Sequence, residues 1–427
     1  MSYRETLKYL YGLQKYGIKF GLSKTSNLMT AFGNPHIGKR YIHIAGSNGK
    51  GSVAAMVESI LIRSGLKVGF YSSPHLVRFT ERFRINRKEI SGKKVAELVN
   101  ELREVMDPGH PPTFFEVTTA MALVYFAREK TDIAIMEVGM GGRLDATNVI
   151  LPELSVITNI SREHQFFLGS QLIQIAGEKA GIIKRGVDVV TSATQPHVIK
   201  LFETICEKKK APFWRIGKDI RYRMRGKGLD YYGLRRIFRD LEFGLTGSYQ
   251  GRNCALAVAV IEILEMKGFR ISTRNITDGL KDTTWPGRMH ILSRNPLTIL
   301  DGAHNPDAAS KLAASIKKDF SYNRLFLVLG VMEDKDIDKI MHILLPVSDY
   351  VICTRPDYYR SADPEDLMRR LSVHGTKGEV IPDIAKAIES AKQMALPDDM
   401  ILITGSLFTV GEALTYFDPK KYRPDEV

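Results

Sequence analysis

Cysteine is scarce in this chain of 427 residues, which carries only Cys206, Cys254 and Cys353. They are odd in number, far apart and form no Cys-x-x-Cys pair, which argues against a disulfide framework and against a thiolate metal site. Long apolar runs are missing too. The nearest approach, Cys254–Leu264, is interrupted by Glu262 and falls short of the roughly 20 residues that span a bilayer. The opening stretch, MSYRETLKYLYGLQKYG, has neither an apolar segment nor a small-residue cleavage site and does not read as a secretory signal. No internal repeat and no low-complexity tract is found. These absences point to a globular protein of the reducing cytoplasm, with no membrane partner.

The residues that are present fit that class. Hydrophobic residues make up 44% and charged residues 26%, enough to bury a core and stay in solution. The length suggests two domains. The net charge of +13 suits nucleic acid, an enzyme that gathers several anions, or merely a solvated basic surface. The densest basic stretch, Arg215–Arg239, interleaves Tyr222, Tyr231, Tyr232 and Phe238. It lies far along the chain from the motifs below and reads as surface β-structure.

From Tyr41 to about Thr191, short apolar strands alternate with helices. Tyr41–Ala45, Lys67–Tyr71, Ile133–Val138, Leu154–Asn159 and Val187–Thr191 read as strands. Ser52–Ser64 and Thr118–Lys130 read as helices, the first with Val53, Met56, Val57, Ile60 and Leu61 on one face. Such alternation predicts a parallel, doubly wound sheet covered on both faces. Arg221–Phe243 breaks the pattern as a polar, aromatic hairpin excursion, and Asn253–Lys267 returns to helix. Trp285-Pro286-Gly287-Arg288 and Asn295-Pro296 mark a boundary. Beyond it, the alternation resumes from Leu297–Asp301 to Met400–Thr404. The expected architecture is α/β: an N-terminal P-loop-type, doubly wound, mostly parallel sheet domain over residues 1–290, and a smaller C-terminal α/β (Rossmann-like) domain over 297–427.

The chemistry gathers where strands end. In His43-Ile44-Ala45-Gly46-Ser47-Asn48-Gly49-Lys50-Gly51-Ser52, a strand enters, a helix leaves, and three glycines and a lysine lie between. Glycines let several backbone N–H groups face one point, the helix N-terminus adds partial positive charge, and Lys50 adds a full one. That suits a phosphate chain. The strict Walker pattern fails, because Ile44 falls at its first glycine and Gly51 at its Ser/Thr position. Glu137 ends an apolar strand, where a phosphate-bound Mg²⁺ needs a ligand, although a loop carboxylate reads the same way. His164, in Ser161-Arg162-Glu163-His164, is a metal ligand, a catalytic group or a structural hydrogen-bonding residue. The hydroxyls of Ser72-Ser73-Pro74-His75 either touch metal or cap a turn. Asp301-Gly302-Ala303-His304-Asn305-Pro306 follows the first strand of the second domain, which suggests a site closed between domains. Asn305-Pro306 also reads as a helix cap.

Together these segments, with Glu137–Asn148, Glu178-Lys179-Ala180-Gly181-Ile182 and Pro286-Gly287-Arg288, resemble the folylpolyglutamate synthase/dihydrofolate synthase family of the Mur ligase superfamily, in order along nearly the whole chain. The resemblance implies an ATP-dependent ligase that adds L-glutamate by γ-linked amide bonds to (tetrahydro)folate through an acyl phosphate, with dihydrofolate synthesis from dihydropteroate as a second activity left open. It implies ATP contacts at Ser47, Asn48, Gly49, Lys50, Gly51, Ser52, Asn253, Arg288 and Asp301, and magnesium ligands at Ser73, Glu137 and His164. Thr113, Phe114, Phe115, Glu116, Leu144, Asp145 and Ala146 match pterin-binding segments. Lys50, Lys179 and His164 match the catalytic set, and Lys179 matches a lysine that is carbamylated in relatives. A monovalent cation is a further cofactor the resemblance suggests.

Two places depart from the family. Glu163-His164-Gln165-Phe166-Phe167 stands where relatives usually read Asp-His followed by Thr or a similar residue, and Gly21-Leu22-Ser23-Lys24 carries Lys where relatives often carry Arg. Competing readings are a Mur-type ligase acting on a cell-wall precursor, a nucleotide-binding switch, for which no Asn-Lys-x-Asp motif is found, and a nucleic-acid binder. The expectation is a monomer acting on small molecules, with no nucleic-acid partner.

Overall fold

The computed structural model describes every residue except Ile18, His374 and Val427. Strands β1 Tyr41–Ala45, β2 Val68–Tyr71, β3 Phe83–Ile85, β4 Lys88–Glu89, β5 Ile133–Glu137, β6 Leu154–Ile157, β7 Asp188–Thr191 and β8 Phe213–Arg215 form one sheet in the order β4-β3-β2-β5-β1-β6-β7-β8. From β2 to β8 the pairings are parallel, and β3 and β4 add an antiparallel edge. The chain leaves β1 toward β2 on one side and leaves β5 toward β6 on the other. The crevice between the ends of β1 and β5 is therefore the point where the winding reverses, the usual seat of a ligand in such sheets.

Apolar residues bury both faces. Helices Lys50–Arg63 and Gln250–Met266 pack on one face, around Ile42, Ile44, Val57 and Val258, while Phe114–Arg128 covers the other with Met121 and Leu123. Gln250–Met266 is apolar all round because it is buried within the protein, and Glu262 in it has a defined task. Its carboxylate accepts from Tyr231 Oη at 2.7 Å and from the backbone N–H groups of Leu234, Arg235 and Arg236 at 2.9, 3.0 and 2.7 Å. It thereby caps the turn of the excursion predicted at Arg221–Phe243. That excursion is a three-stranded antiparallel sheet, β9 Arg221–Arg225, β10 Gly228–Tyr232 and β11 Ile237–Glu242.

The second sheet comprises β12 His290–Arg294, β13 Leu297–Asp301, β14 Leu325–Leu329, β15 Tyr350–Cys353, β16 Lys377–Val380 and β17 Met400–Thr404, in the order β12-β13-β17-β14-β15-β16. β12 pairs antiparallel to β13 and the other pairings are parallel. β12 begins at His290, the last residue of the span 1–290, runs on into the stretch before 297, and pairs with β13 of the second sheet. No helix among the described residues is long and apolar enough to cross a membrane.

Candidate active site

The loop after β1 is shaped by its glycines. Gly46 and Gly49 have φ of +143° and +88°, and Gly49 caps the helix Lys50–Arg63. A Cβ on Gly46 would stand 1.8 Å from Thr158 Oγ1, and one on Gly49 would stand 2.7 Å from Asn253 Oδ1. The departure from the Walker pattern at Gly51 has a steric cause: a Cβ there would lie 2.7 Å from Trp285 Nε1. Trp285 is itself fixed by stacking on Phe70, with centroids 5.5 Å apart. Lys50 folds back over the loop, donating from Nζ to the Gly46 and Ser47 carbonyls at 2.9 and 3.3 Å. Asn48 N–H donates to Asn159 Oδ1 at 2.6 Å.

Glu137, the last residue of β5, lies across the crevice. Burial pushes its carboxyl up from the ordinary range, opposed first by Lys50 and then by Arg288. Behind the loop, Lys179 donates from Nζ to Glu163 at 2.6 Å and to the Gly46 carbonyl at 3.0 Å, in a pair whose side chains are 3% and 8% exposed. Burial lowers the Lys179 pKa, with Glu163 opposing. Burial alone would raise the Glu163 carboxyl, but Lys179 and then Lys50 outweigh it and hold it down at about 2. His164 adopts a left-handed conformation, φ +46°, at the cleft mouth. The protein around it and then the nearby lysines, Lys335 first, push its pKa down, while Glu163 opposes.

The second sheet closes the cleft. Asp301, at the end of β13, accepts from the Met289 and Ala303 N–H groups at 2.8 and 2.9 Å and from Tyr249 Oη at 3.3 Å. Asn305 caps the helix Pro306–Asp319, and its Nδ2 donates to Asn48 Oδ1 at 3.0 Å. A cavity of about 270 Å³ is lined by Ser47–Ser52, Ser73, Glu137, His164, Asn253, Arg288 and Asp301. The loop, strand-end and second-domain residues singled out in the sequence thus meet in one place. Lys179 stands behind the loop rather than on the cavity wall.

The remaining segments adjoin this cavity without lining it. Thr113 and Glu116 form a capping box, Glu116 Oε2 accepting from Thr113 N and Oγ1 at 2.7 and 2.8 Å. Phe114 stacks on Tyr11 at 5.9 Å, and Phe115 stands against Gly139, which is part of the cavity wall. Asp145 caps the turn Ala146–Val149 and accepts from Met140 N–H at 2.9 Å, while the Leu144 carbonyl accepts from Gly21 N–H at 3.3 Å.

The Mur ligase middle domain profile matches residues 44–261, and the Mur ligase, glutamate ligase domain profile matches residues 287–407. The chain is 34% identical to the dihydrofolate synthase/folylpolyglutamate synthase of Bacillus subtilis, covering 96% of this chain and 98% of that one. Its fold is similar to that of Escherichia coli FolC in complex with DHPP and ADP, with a TM-score of 0.90 and 31% identity over 97% of this chain and 98% of that one. The Mycobacterium tuberculosis folylpolyglutamate synthase complexed with ADP and AMPPCP gives 0.89 and 33% over 97% and 99%. The chain belongs to the folylpolyglutamate synthase/dihydrofolate synthase family of Mur ligases.

In this Mur ligase Tyr222, Tyr249, Arg252 and Lys311, which no sequence pattern singled out, also line the cavity, together with His304. Tyr222 comes from β9, inside the basic stretch read as remote surface structure; the excursion folds back onto the helix Gln250–Met266, and no local pattern signals that return. His304 was visible in its motif. Its pKa is pushed down to about 4, by burial first and then by Lys335.

Proposed function

We infer that the chain is an ATP-dependent ligase that joins the amino group of L-glutamate to a carboxylate of a folate-type acceptor, in keeping with relatives named dihydrofolate synthase/folylpolyglutamate synthase. The observation that carries this is the convergence of Lys50, Glu137, Arg288 and Asp301 on one cavity at the crevice where the sheet reverses. Two anions, a triphosphate and a carboxylate, must meet there. The loop N–H groups, the helix N-terminus and Lys50 neutralise that repulsion and the charge that spreads over the transferred phosphoryl group. Transfer of the terminal phosphoryl to the acceptor carboxylate gives an acyl phosphate and ADP. The glutamate amine then attacks the acyl carbon, and phosphate leaves from the tetrahedral intermediate. Ser47, Asn48, Gly49, Gly51, Ser52, Asn253, Arg288 and Asp301 are assigned to the nucleotide. Thr113–Glu116 and Leu144–Ala146 are assigned to the acceptor's pteridine end.

Glu137 and Ser73 offer oxygen donors on one wall, the chemistry that suits Mg²⁺, with His164 as a third candidate. Among the described residues no three His, Cys, Asp or Glu side chains form a metal cluster, so phosphates and water would complete the shell. When bound, the ion supplies Lewis-acid neutralisation of phosphate charge. Carbamylation of Lys179 would set a second anion beside Glu163 and would require their pair to open. We assign the two units to residues 1–290 and 297–427, with β12 grouped with the second, and the enzyme to the cytoplasm, acting as a monomer; the three cysteines are buried and free.

Mass spectrometry of reactions with ATP, L-glutamate and either tetrahydrofolate or dihydropteroate tests this reading. A product extended by one glutamate from at least one acceptor is expected. Failure to extend both refutes the assignment, and the comparison of the two acceptors decides whether the second activity is present.

A further inference from the structure

A second cavity, also of about 270 Å³, adjoins the nucleotide cavity on the side away from His164. It lies between the helix Lys50–Arg63, the β3–β4 edge of the first sheet and the segment Thr284–Arg288. The two cavities share Gly51, Ser73, Glu137 and Arg288 as wall residues, so they meet where Glu137 ends β5. Glu137 is buried at this inner end, whereas Arg87 and Lys421, which line the same cavity, are exposed. The space therefore runs from the wall of the nucleotide cavity to solvent.

Charge decides what such a passage carries. Its outer carboxylates already have partners. Glu58 Oε2 accepts from Arg84 Nη2 at 2.9 Å, and Glu89 accepts from Arg78 Nε and Nη2 at 3.1 and 2.6 Å. Glu81 accepts from the N–H groups of Leu76, Val77 and Arg78 at 2.8, 3.1 and 2.9 Å. Three cations remain. Arg87 Nη2 donates to two neutral oxygens, Ser59 Oγ and, at 3.3 Å, the Asp282 carbonyl. Arg288 Nη1 donates to the Gly287 carbonyl at 3.1 Å, and Lys421 Nζ lies 5.1 Å from the centroid of the Tyr422 ring. Among the described residues none of these three forms a salt bridge. Trp285, Pro286 and Leu76 add apolar wall, which focuses the field of the cations on the space between.

We propose that this second cavity is a site for inorganic phosphate, which receives the phosphate set free in amide formation and leads it to solvent while ADP still fills the phosphate loop. The proposal rests on the ligase reading above. In that reaction the C–O bond of the tetrahedral intermediate breaks and phosphate departs with the bonding electron pair. ADP then flanks it on the loop side and the new amide on the acceptor side. The wall that carries Ser73 and Glu137 is where further space opens. Arg288 stands at the junction, and Arg87 and Lys421 stand at the exposed end. Cations along a narrow cleft raise the local concentration of a small anion and speed its passage, most strongly at low ionic strength.

The test is equilibrium dialysis of radiolabelled inorganic phosphate against the full chain loaded with ADP and Mg²⁺ at low ionic strength. It needs no turnover, so its failure and the failure of the ligase assay are told apart. The original protein is expected to bind phosphate, and Arg87→Gln/Lys421→Gln to bind it at least about fivefold more weakly, as loss of two partly exposed charges predicts. ADP affinity should be retained, and Arg87→Lys/Lys421→Arg should restore phosphate binding. In a single turnover the glutamine protein should form the amide at the original rate, while a fluorescent phosphate sensor reports release at least about fivefold slower. Absence of phosphate binding by the original protein overturns the proposal. So does equal binding by the glutamine protein, which leaves the phosphate in the nucleotide cavity, and so does phosphate release that keeps pace with amide formation in that protein. Displacement of the phosphate by L-glutamate at equal concentration shows a passage for the incoming amino acid instead and likewise overturns it.

Discussion

Asp307 Oδ2, on the first turn of a second-domain helix, accepts from Asn48 Nδ2 in the phosphate loop at 2.7 Å. The same oxygen accepts from Asn159 Nδ2 at 2.9 Å and from Lys311 Nζ at 2.6 Å. One carboxylate therefore ties the loop after β1 and the loop after β6 to the second domain, and its three partners Asn48, Asn159 and Lys311 line the nucleotide cavity.

Asp307→Ala removes these charge-assisted bonds. Partial exposure of Asp307 keeps the expected loss near 1–2 kcal/mol, about tenfold in the KM for ATP. Steady-state kinetics with saturating acceptor and glutamate measure it. An unchanged KM would mean that domain closure does not depend on this contact.

Backbone conformation at the loop gives a second prediction. Gly46→Ala and Gly49→Ala each place a Cβ at a positive φ, and at Gly46 that atom falls 1.8 Å from Thr158 Oγ1. Both should lose nucleotide binding by isothermal calorimetry, and Gly46→Ala should lower the melting temperature more than Gly49→Ala, whose neighbour is the side-chain oxygen of Asn253. Retained ATP affinity in Gly49→Ala would contradict the geometry described.

Glu262 bears on stability rather than chemistry. It is fully buried and accepts from Tyr231 and the three N–H groups of the β10–β11 turn. Glu262→Ala strands those donors and should cost about 3 kcal/mol or more in urea unfolding. Glu262→Gln, which keeps one acceptor oxygen, should cost less.

Acid should destabilise the protein through its buried histidines. His43 is fully buried, with Nε2 2.8 Å from Thr147 Oγ1, and burial pushes its pKa down to about 3. The unfolded chain takes up that proton near its ordinary pKa of about 6.5. Between those values the unfolded state binds more protons, so stability is complete above about pH 6.5 and falls progressively as pH drops toward about 3, by roughly 1 kcal/mol per unit. Urea midpoints at pH 7.5 and pH 5 should differ, and His43→Gln should shrink the difference. It should not vanish, because burial also lowers His304 to about 4.

Much of this was legible in the sequence because its signals are local. Short apolar strands separated by helical periods predicted both sheets, and the glycine and lysine spacing at Gly46–Ser52 marked a loop that lines the cavity. What stayed hidden depends on long-range packing. Gly51 looks like a defect in the phosphate motif until Trp285 is seen beside it. Tyr222 joins the cavity from β9, where it pairs with Tyr231, whose hydroxyl is held by Glu262 of the distant helix Gln250–Met266. The Asn48–Asp307 bond spans 259 residues, and nothing near either residue announces the other. The outward turn at His164, which exposes Phe166, is likewise a backbone property that side-chain pattern does not encode.

The central claim is that phosphoryl transfer from ATP at the Gly46–Ser52 loop serves amide formation. The most direct measurement is ADP release by the purified protein with Mg²⁺, omitting ATP, L-glutamate or the folate acceptor in turn, and repeated with Lys50→Ala. The account predicts sustained ADP formation only with all three present, and loss of turnover in Lys50→Ala with its melting temperature retained. Steady ADP formation without acceptor, or turnover near the original rate in Lys50→Ala, would contradict it.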